Sequence, residues 1–335
     1  MSMNNLKNMK NQIAGLLVFL FCITLPTNCQ TEWKTGTNRP LSGPCKAVTY
    51  KGKIYVASTH ANRRIVIEEY SPITDTWVLK KATSHTENGG EFCAAATDAG
   101  IFFMGGWIDT SINKIGKGIS LDKMEKYDVE RDTFLVLGRM PTGLDCATAI
   151  SVDDIIYVMG GRAKDNTPLS DAVYAYDPEM AVWSKKHGSS PGRVEAYTVV
   201  VDGKIYLFGG YCENATHSDI MIDNKMDVYD PVSDSWKLGE SDLVDSNKNP
   251  LGMGMIQNEV YFLVMATGAE ELFKYNPESR STVRLTDRSD LTWLMGTVSL
   301  NDSIYFIGGI KGDFPNGEQQ NSTLILKSIS PVSKP

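Results

Sequence analysis

The sequence predicts an all-β protein closed into a ring of six like units. Three observations predict it. A short apolar run ending in Gly-Gly, a loop, a second run ending in Tyr-Asp-Pro and then a tryptophan recur along the chain, most clearly in residues 203–236. The aromatic of the first run falls at Tyr55, Phe102, Tyr157, Tyr206, Tyr261 and Tyr305. That gives six copies with a period of about 50 residues, the range of propeller-type arrays. Finally, seven residues separate Tyr70 from Trp77, Tyr127 from Phe134, Tyr176 from Trp183 and Tyr229 from Trp236.

Each piece has a physical reading. IYLF (205–208) is too short for a helix and is bounded by glycine, so it reads as a buried strand. Gly209-Gly210 ends it where a side chain would obstruct a close approach. MDVY (226–229) is a second strand, and Asp230-Pro231 opens a turn because proline presets φ and aspartate bonds its own backbone. Trp236 starts a third strand. The other copies begin at KIYVAS (53–58), GIFFMGG (100–106), DIIYVMGG (154–161), EVYFLV (259–264) and SIYFIGG (303–309). Copy five has Thr282 where the late aromatic should stand, and copy six runs out of chain before its own. Trp33 supplies that piece, 22 residues before Tyr55. An N-terminal strand therefore completes the last unit, which closes the ring and removes open sheet edges.

The pattern of Gly-Gly, Tyr-Asp-Pro and Trp at fixed spacing resembles the Kelch repeat and covers roughly residues 30–330. Copies one and five depart from it, with Ser58-Thr59 and Val264-Met265 in place of Gly-Gly. The resemblance implies a six-bladed β-propeller with four antiparallel strands per blade. The expected organisation is a signal peptide at 1–29, a single propeller at 30–330 and a short tail at 331–335.

Composition limits the partners. Of 335 residues, 42% are hydrophobic, and the formal charge is −7. Residues 1–29 carry Lys7 and Lys10 and no acid, so their removal would make the chain still more acidic. Such a charge argues against a nucleic-acid partner. Residues 13–25 are a continuous apolar run behind a mildly basic stretch, too short to span a bilayer comfortably and suited to a signal peptide. Two endings fit: cleavage after Cys29, or a relaxed lipobox (Leu25–Cys29) with Cys29 lipidated and the ring tethered to a membrane surface. The expected location is outside the cytoplasm, secreted or periplasmic, free or lipid-anchored.

Cys45, Cys93 and Cys146 each precede a first-run aromatic and read as small core residues of the innermost strands, although export would allow a bridge between neighbouring blades. Cys212 stands apart. Zinc-type cysteine spacing is absent. Asn214, Asn301 and Asn321 sit in N-glycosylation patterns.

Candidate chemistry lies at the start of the innermost strands. Glu91 and Glu195 stand eleven residues before Phe102 and Tyr206, and Asp145 stands twelve before Tyr157. These carboxylates should surround one mouth of the central channel, where the resemblance would place arginines that grip acidic peptides. A negative half-ring would suit a cation, a basic peptide or sugar hydroxyls; a solvated acidic rim is the plainer reading. Arg193, two residues before Glu195, is placed to pair with it. Trp107, Tyr211, Phe314 and Trp293 are loop aromatics that could stack on a ligand. Gly188–Gly192 matches G-x-S-x-G but lies between blades, and Pro191 lacks the N–H an oxyanion hole would need. His60, His85, His187 and His217 lie on separate loops and build no metal site by spacing, so no cofactor is expected. The reading that follows is an exported recognition module binding protein or carbohydrate across one face. The alternative is a sugar mutarotase or epimerase. For this the chain is similar to exported six-bladed Kelch proteins that speed anomer exchange of N-acetylneuraminate, with Glu91, Asp145, Glu195 and Arg193 as acid and base candidates.

Overall fold

Alternating apolar residues in the six predicted strand sets form six four-stranded antiparallel sheets. The computed structural model describes residues 30–60, 63–85, 87–88, 90–109, 118–163, 168–189, 191–213, 219–239, 242–245, 248–266, 269–288, 292, 295–312 and 317–329. Residues 1–29, with Cys29, lie outside the described residues, as do Asn214, His217, Trp293, Phe314 and the tail. Glu32–Ser328 forms one compact unit, described here; Met1–Thr31 with Ile329–Pro335 is the other, almost wholly outside the described residues.

Blade 1 runs Lys46–Tyr50, Lys53–Thr59, Ile65–Ser71, Thr76–Thr83, from the innermost strand outward. Blades 2 to 5 begin at Phe92–Thr97, Thr148–Val152, Tyr197–Val201 and Asn249–Ile256. Blade 6 comprises Gly296–Ser299, Ser303–Ile307 and Thr323–Ile329, and its outermost strand is the N-terminal Gln30–Gly36. The expected closure is therefore present: the last blade is assembled from both ends of the described chain. The six innermost strands contact one another in a closed cycle around the channel.

The core lies between blades. Tyr70, Tyr127 and Tyr229, the repeat tyrosines of blades 1, 2 and 4, are almost fully buried and pack on Trp77, Phe134 and Trp236, with ring centroids 4.8, 5.2 and 5.0 Å apart. Burying rings of this size provides much of the hydrophobic stabilisation.

A polar latch accompanies these rings. The hydroxyls of Tyr70, Tyr127 and Tyr229 donate to Asp75, Asp132 and Asp234 at 2.7, 2.9 and 2.6 Å. Each aspartate also accepts a backbone N–H from the preceding blade: Thr37 at 2.8 Å, Lys81 at 3.1 Å and His187 at 2.9 Å. Two tryptophans return a bond across the same seam, Trp77 to the Thr37 carbonyl and Trp236 to the His187 carbonyl. The aspartates occupy a turn position with φ near +50°, which aspartate tolerates better than most residues. Blade 3 has Ala181 at this place, also at positive φ, and blade 5 has Arg280.

The Gly-Gly pairs govern the opposite face. Both glycines of Gly105-Gly106, Gly160-Gly161, Gly209-Gly210 and Gly308-Gly309 have positive φ. The second glycine turns its N–H to the next blade: Gly106 donates to Leu144, Gly161 to Arg193 and Gly309 to Gly43. A Cβ on Gly160 would meet the Arg193 carbonyl oxygen at 2.2 Å. Blade 5, which lacks the pair, instead continues into a long hairpin, Glu259–Ala266 with Ala269–Asn276.

The latch yields a test. The Tyr229 hydroxyl and the His187 N–H hold the Asp234 carboxyl below the usual carboxylate range. Its stabilisation is therefore complete above about pH 4, the unfolded value, and is lost as pH falls through the lower folded value. D234N should lower Tm by a few degrees at pH 7, with the gap to wild type closing below about pH 4. Conversely, A181D should raise Tm at pH 7, because it relieves alanine at positive φ and restores the latch carboxylate, whose repeat-equivalent partner N–H is that of Gly138, four residues after Phe134 as Lys81 is four after Trp77. A181G should recover only the conformational part. Thermal melts across pH measure all three, and an A181D melt at or below the A181G value would refute the latch.

Candidate functional site at the mouth of the channel

The mouth is built by the segments that lead into the innermost strands; before blades 3 and 4 the Gly-Gly pairs of the preceding blades hold those segments, whereas blade 1, which precedes the Glu91 segment, has Ser58-Thr59 in that place. Leu144 and Arg193, bonded to Gly106 and Gly161, stand two residues before Cys146 and Glu195. Glu91, Cys146 and Glu195 share one backbone conformation, with φ of 55°, 54° and 57°. They are also chained by main-chain bonds: Cys146 N–H donates to Glu91 O, and Glu195 N–H to Cys146 O, both at 2.9 Å. Three successive blades thus present three side chains to one point. One ligand atom from each lies within 4.8 Å of the others.

Glu91 and Glu195 are therefore brought together as the spacing implied. Asp145 is not. The offset of eleven that the two glutamates share belongs to Cys146, so the third member of the half-ring is a thiol. Asp145 lies one residue earlier, is 4% exposed, and is held by Arg162 at 2.9 Å and the Ser120 hydroxyl at 2.6 Å. Arg193 does not pair with Glu195. It is buried between blades against Asp227 and Asp223, the latter at 3.0 Å. This follows from the strand period: residues two apart point the same way only in regular strand, and positive φ at Glu195 breaks the alternation.

Trp107 and Tyr211 are half-buried on short hairpins that leave the Gly-Gly pairs of blades 2 and 4. Trp107 packs over Gly118, where a Cβ would come within 2.9 Å of the ring. The Tyr211 hydroxyl donates to Asn249 Oδ1 at 3.4 Å. A third hairpin, Ile310–Lys311 with Glu318–Gln319, rises from blade 6, so alternate blades carry walls around the mouth. Asn301 lies in an exposed turn, whereas the Asn321 amide donates to the Arg39 carbonyl at 3.2 Å.

Two cavities open here. One, of about 370 Å³, follows the channel between Cys93, Ala147, Glu195, Tyr197, Met255 and Met295. The other, of about 390 Å³, lies beside Glu91, His60 and Gln319. Lys46, which sequence reasoning passed over, lines both. Tyr197 was also missed. The missed signal is the column nine residues before each first-strand aromatic: Lys46, Cys93, Thr148, Tyr197, Gly252 and Gly296, with a single charge among them.

The electrostatics follow from burial and proximity. Burial and then the neighbouring Glu91 charge push the Glu195 carboxyl up, while Lys46 and Arg162 oppose the rise. The Cys146 thiol is raised by burial and then by Glu91 and Glu195. Its S–H points to Glu91 Oε2 at 3.8 Å. The group can share a proton, and its donors are close enough to share a cation. The four described cysteines are free and buried, so none of them forms a bridge.

A Kelch motif model matches residues 144–186 and 192–241, which are blades 3 and 4. Kelch-like protein 24 of Rattus norvegicus is 33% identical over 112 residues, and Kelch-like protein 35 of Mus musculus is 28% identical over 172. Blades 3 and 4 thus carry Kelch motifs. Those two alignments span 33% and 50% of this chain but only 17% and 27% of the relatives' own lengths. A solved structure titled "Structure of YjhT" superposes with a TM-score of 0.68, covering 87% of this chain and 96% of that one at 14% identity. It shares the propeller fold.

The mouth's dependence on the glycine pairs is testable. G160A should lower Tm and, by displacing Arg193 and the Glu195 segment after it, weaken any ligand bound at the mouth. A181G, remote from Gly160 and on the opposite face, should leave mouth binding unchanged. A G160A protein with wild-type Tm would show that the approach at Gly160 is unimportant.

Proposed function

We propose that this chain is an exported recognition module that binds a carbohydrate over the channel mouth. One observation carries the reading. Glu91 and Glu195 are half-buried, point at each other and at Cys146, and have no ion-pair partner among the described residues. Bringing like charges together in a partly desolvated place is unfavourable, and nothing in the blade packing requires it. Hydroxyl groups of a sugar would donate to both carboxylates and offset that cost. The walls on blades 2, 4 and 6 and the neighbouring cavities give such a ligand room. Export rests on residues 1–29; the N-terminal mass of protein recovered outside the cytoplasm would separate cleavage after Cys29 from acylation of Cys29. Among the described residues no helix is long and apolar enough to cross a membrane.

A second reading, sugar mutarotation, is favoured by the pairing of two carboxyl groups at one point. The Glu195 carboxyl, raised by burial and by the Glu91 charge, suits a general acid, and Glu91 lies within 4.8 Å of it where a base is needed. Glu91 would take the proton of the anomeric hydroxyl as the bond from the anomeric carbon to the ring oxygen breaks. Glu195 would protonate that oxygen. Rotation about the freed carbonyl carbon and the reverse steps give the other anomer with no net proton change. Acid–base assistance of this kind contributes roughly 10²–10⁴-fold.

Proton NMR of freshly dissolved N-acetylneuraminate, galactose and glucose tests both readings, by saturation transfer for binding and by anomer exchange for turnover. Binding of a sugar that is lost in E91Q and in E195Q supports the mouth as the site. Exchange above the buffer rate supports catalysis, and its rate should fall as pH rises through the Glu195 value. E91Q should move any residual profile to lower pH, because it removes the charge that raises Glu195. Binding at buffer exchange rates leaves a recognition module; absence of binding to all three sugars overturns the carbohydrate reading in favour of a protein ligand.

A further inference from the structure

The mouth is two-signed. Glu91 and Glu195 come from blades 2 and 4, and Lys46 begins the innermost strand of blade 1, opposite blade 4 in a ring of six. Lys46 is half-buried, and it lines both the channel cavity and the cavity beside Glu91. Its side chain makes no hydrogen bond or ion pair among the described residues. The other cations nearby are engaged: Arg162 with Asp145, and Arg193 with Asp223 and Asp227. Space around Lys46 is kept by small residues. In its layer of the channel the neighbouring blades contribute Cys93 and Gly296, and a Cβ on Gly296 would press on Ala47 at 3.0 Å and on Cys45 Sγ at 3.1 Å.

A half-buried lysine whose ammonium has no described ion-pair partner leaves that charge available to a ligand in the cavities it lines. Its field reaches Glu195 and opposes the rise of that carboxyl, yet it forms no ion pair with either glutamate among the described residues. The arrangement is complementary to a molecule that carries an anionic group at one end and hydrogen-bond donors at the other. We propose that Lys46 is a specificity-determining residue that receives a carboxylate of the ligand, so that the mouth selects acidic sugars over their neutral counterparts. This rests on the carbohydrate reading given above. In the bound state the ligand carboxylate accepts a charge-assisted bond from Lys46 Nζ, and ligand hydroxyls donate to Glu91 and Glu195. The net acidity of the chain disfavours anions at long range, so the selectivity must be local and must depend on this one side chain.

Saturation-transfer NMR and equilibrium dialysis with two matched pairs test this: N-acetylneuraminate against its methyl ester, and galacturonate against galactose. Wild type should bind the acid of at least one pair roughly tenfold or more tightly than its neutral partner. K46M should abolish that preference by weakening the acid far more than its neutral partner, and K46R should restore most of it. Thermal melts of K46M should match wild type, since the substitution keeps the strand pairing of residue 46 with Ala57 and the Lys46 side chain makes no hydrogen bond or ion pair among the described residues. Neutral and acidic sugars binding equally to wild type, or an acid preference that survives K46M, would overturn the role of Lys46 while leaving the mouth a carbohydrate site. Failure of all four probes to bind wild type would overturn both.

Discussion

The structure depends on a hydrogen bond between a buried tyrosine and a turn aspartate that belongs to two blades at once. In a radial array each sheet buries its faces only against its neighbours, so the seams carry the stability. At three seams the aspartate accepts both its own blade's tyrosine hydroxyl and the preceding blade's backbone N–H. An otherwise buried phenol is satisfied, and the relative position of two blades is fixed by the same atom. Tilted Tyr–Trp and Tyr–Phe ring pairs beside it provide the apolar contact. The seam to the N-terminal strand uses this device, through Asp75 and Thr37, so ring closure relies on the same chemistry as ordinary succession of blades.

The opposite face is organised by backbone alone. Glycine pairs with positive φ aim an N–H at the next blade and leave room for its carbonyl. What they hold is the lead-in to the next innermost strand, and that lead-in carries the mouth residue. Scaffold and site are coupled here. Glu91, Cys146 and Glu195 sit in the left-handed region, a conformation that costs about 1–2 kcal/mol for such residues. The main-chain bonds from Cys146 to Glu91 and from Glu195 to Cys146 hold them there. Their convergence is thus a property of the main chain, and the side chains are free to vary in chemistry.

The site was legible in part, and the division has a physical basis. Glu91 and Glu195 were found because the repeat imposes a register, and equal offsets from the strand aromatic mean equal places in the ring. Asp145 violated that offset by one. In extended chain one residue reverses the direction of a side chain, so Asp145 turned to Arg162 and Ser120 while Cys146 took the place at the mouth. Arg193 was expected beside Glu195 because they are near in sequence. Its partners, Asp223 and Asp227, lie some thirty residues on, and only strand pairing brings them near. Lys46 was overlooked because a lone lysine in a strand has no pattern; its meaning comes from the cavities that it lines.

By itself the sequence determined the repeat, its number and its closure, because the strand aromatic recurs six times and the glycine pairs and the Tyr-to-Trp or Tyr-to-Phe spacing each recur in four copies, all of them local constraints. It also determined which residues would occupy equal positions. The tertiary structure alone decided which of those positions meet. The glutamates, the thiol and the lysine come from four blades across more than 140 residues, and their mutual distance depends on how far each blade is rotated about the axis. That rotation is a sum of seam contacts. No single repeat contains it, so no single repeat could reveal it.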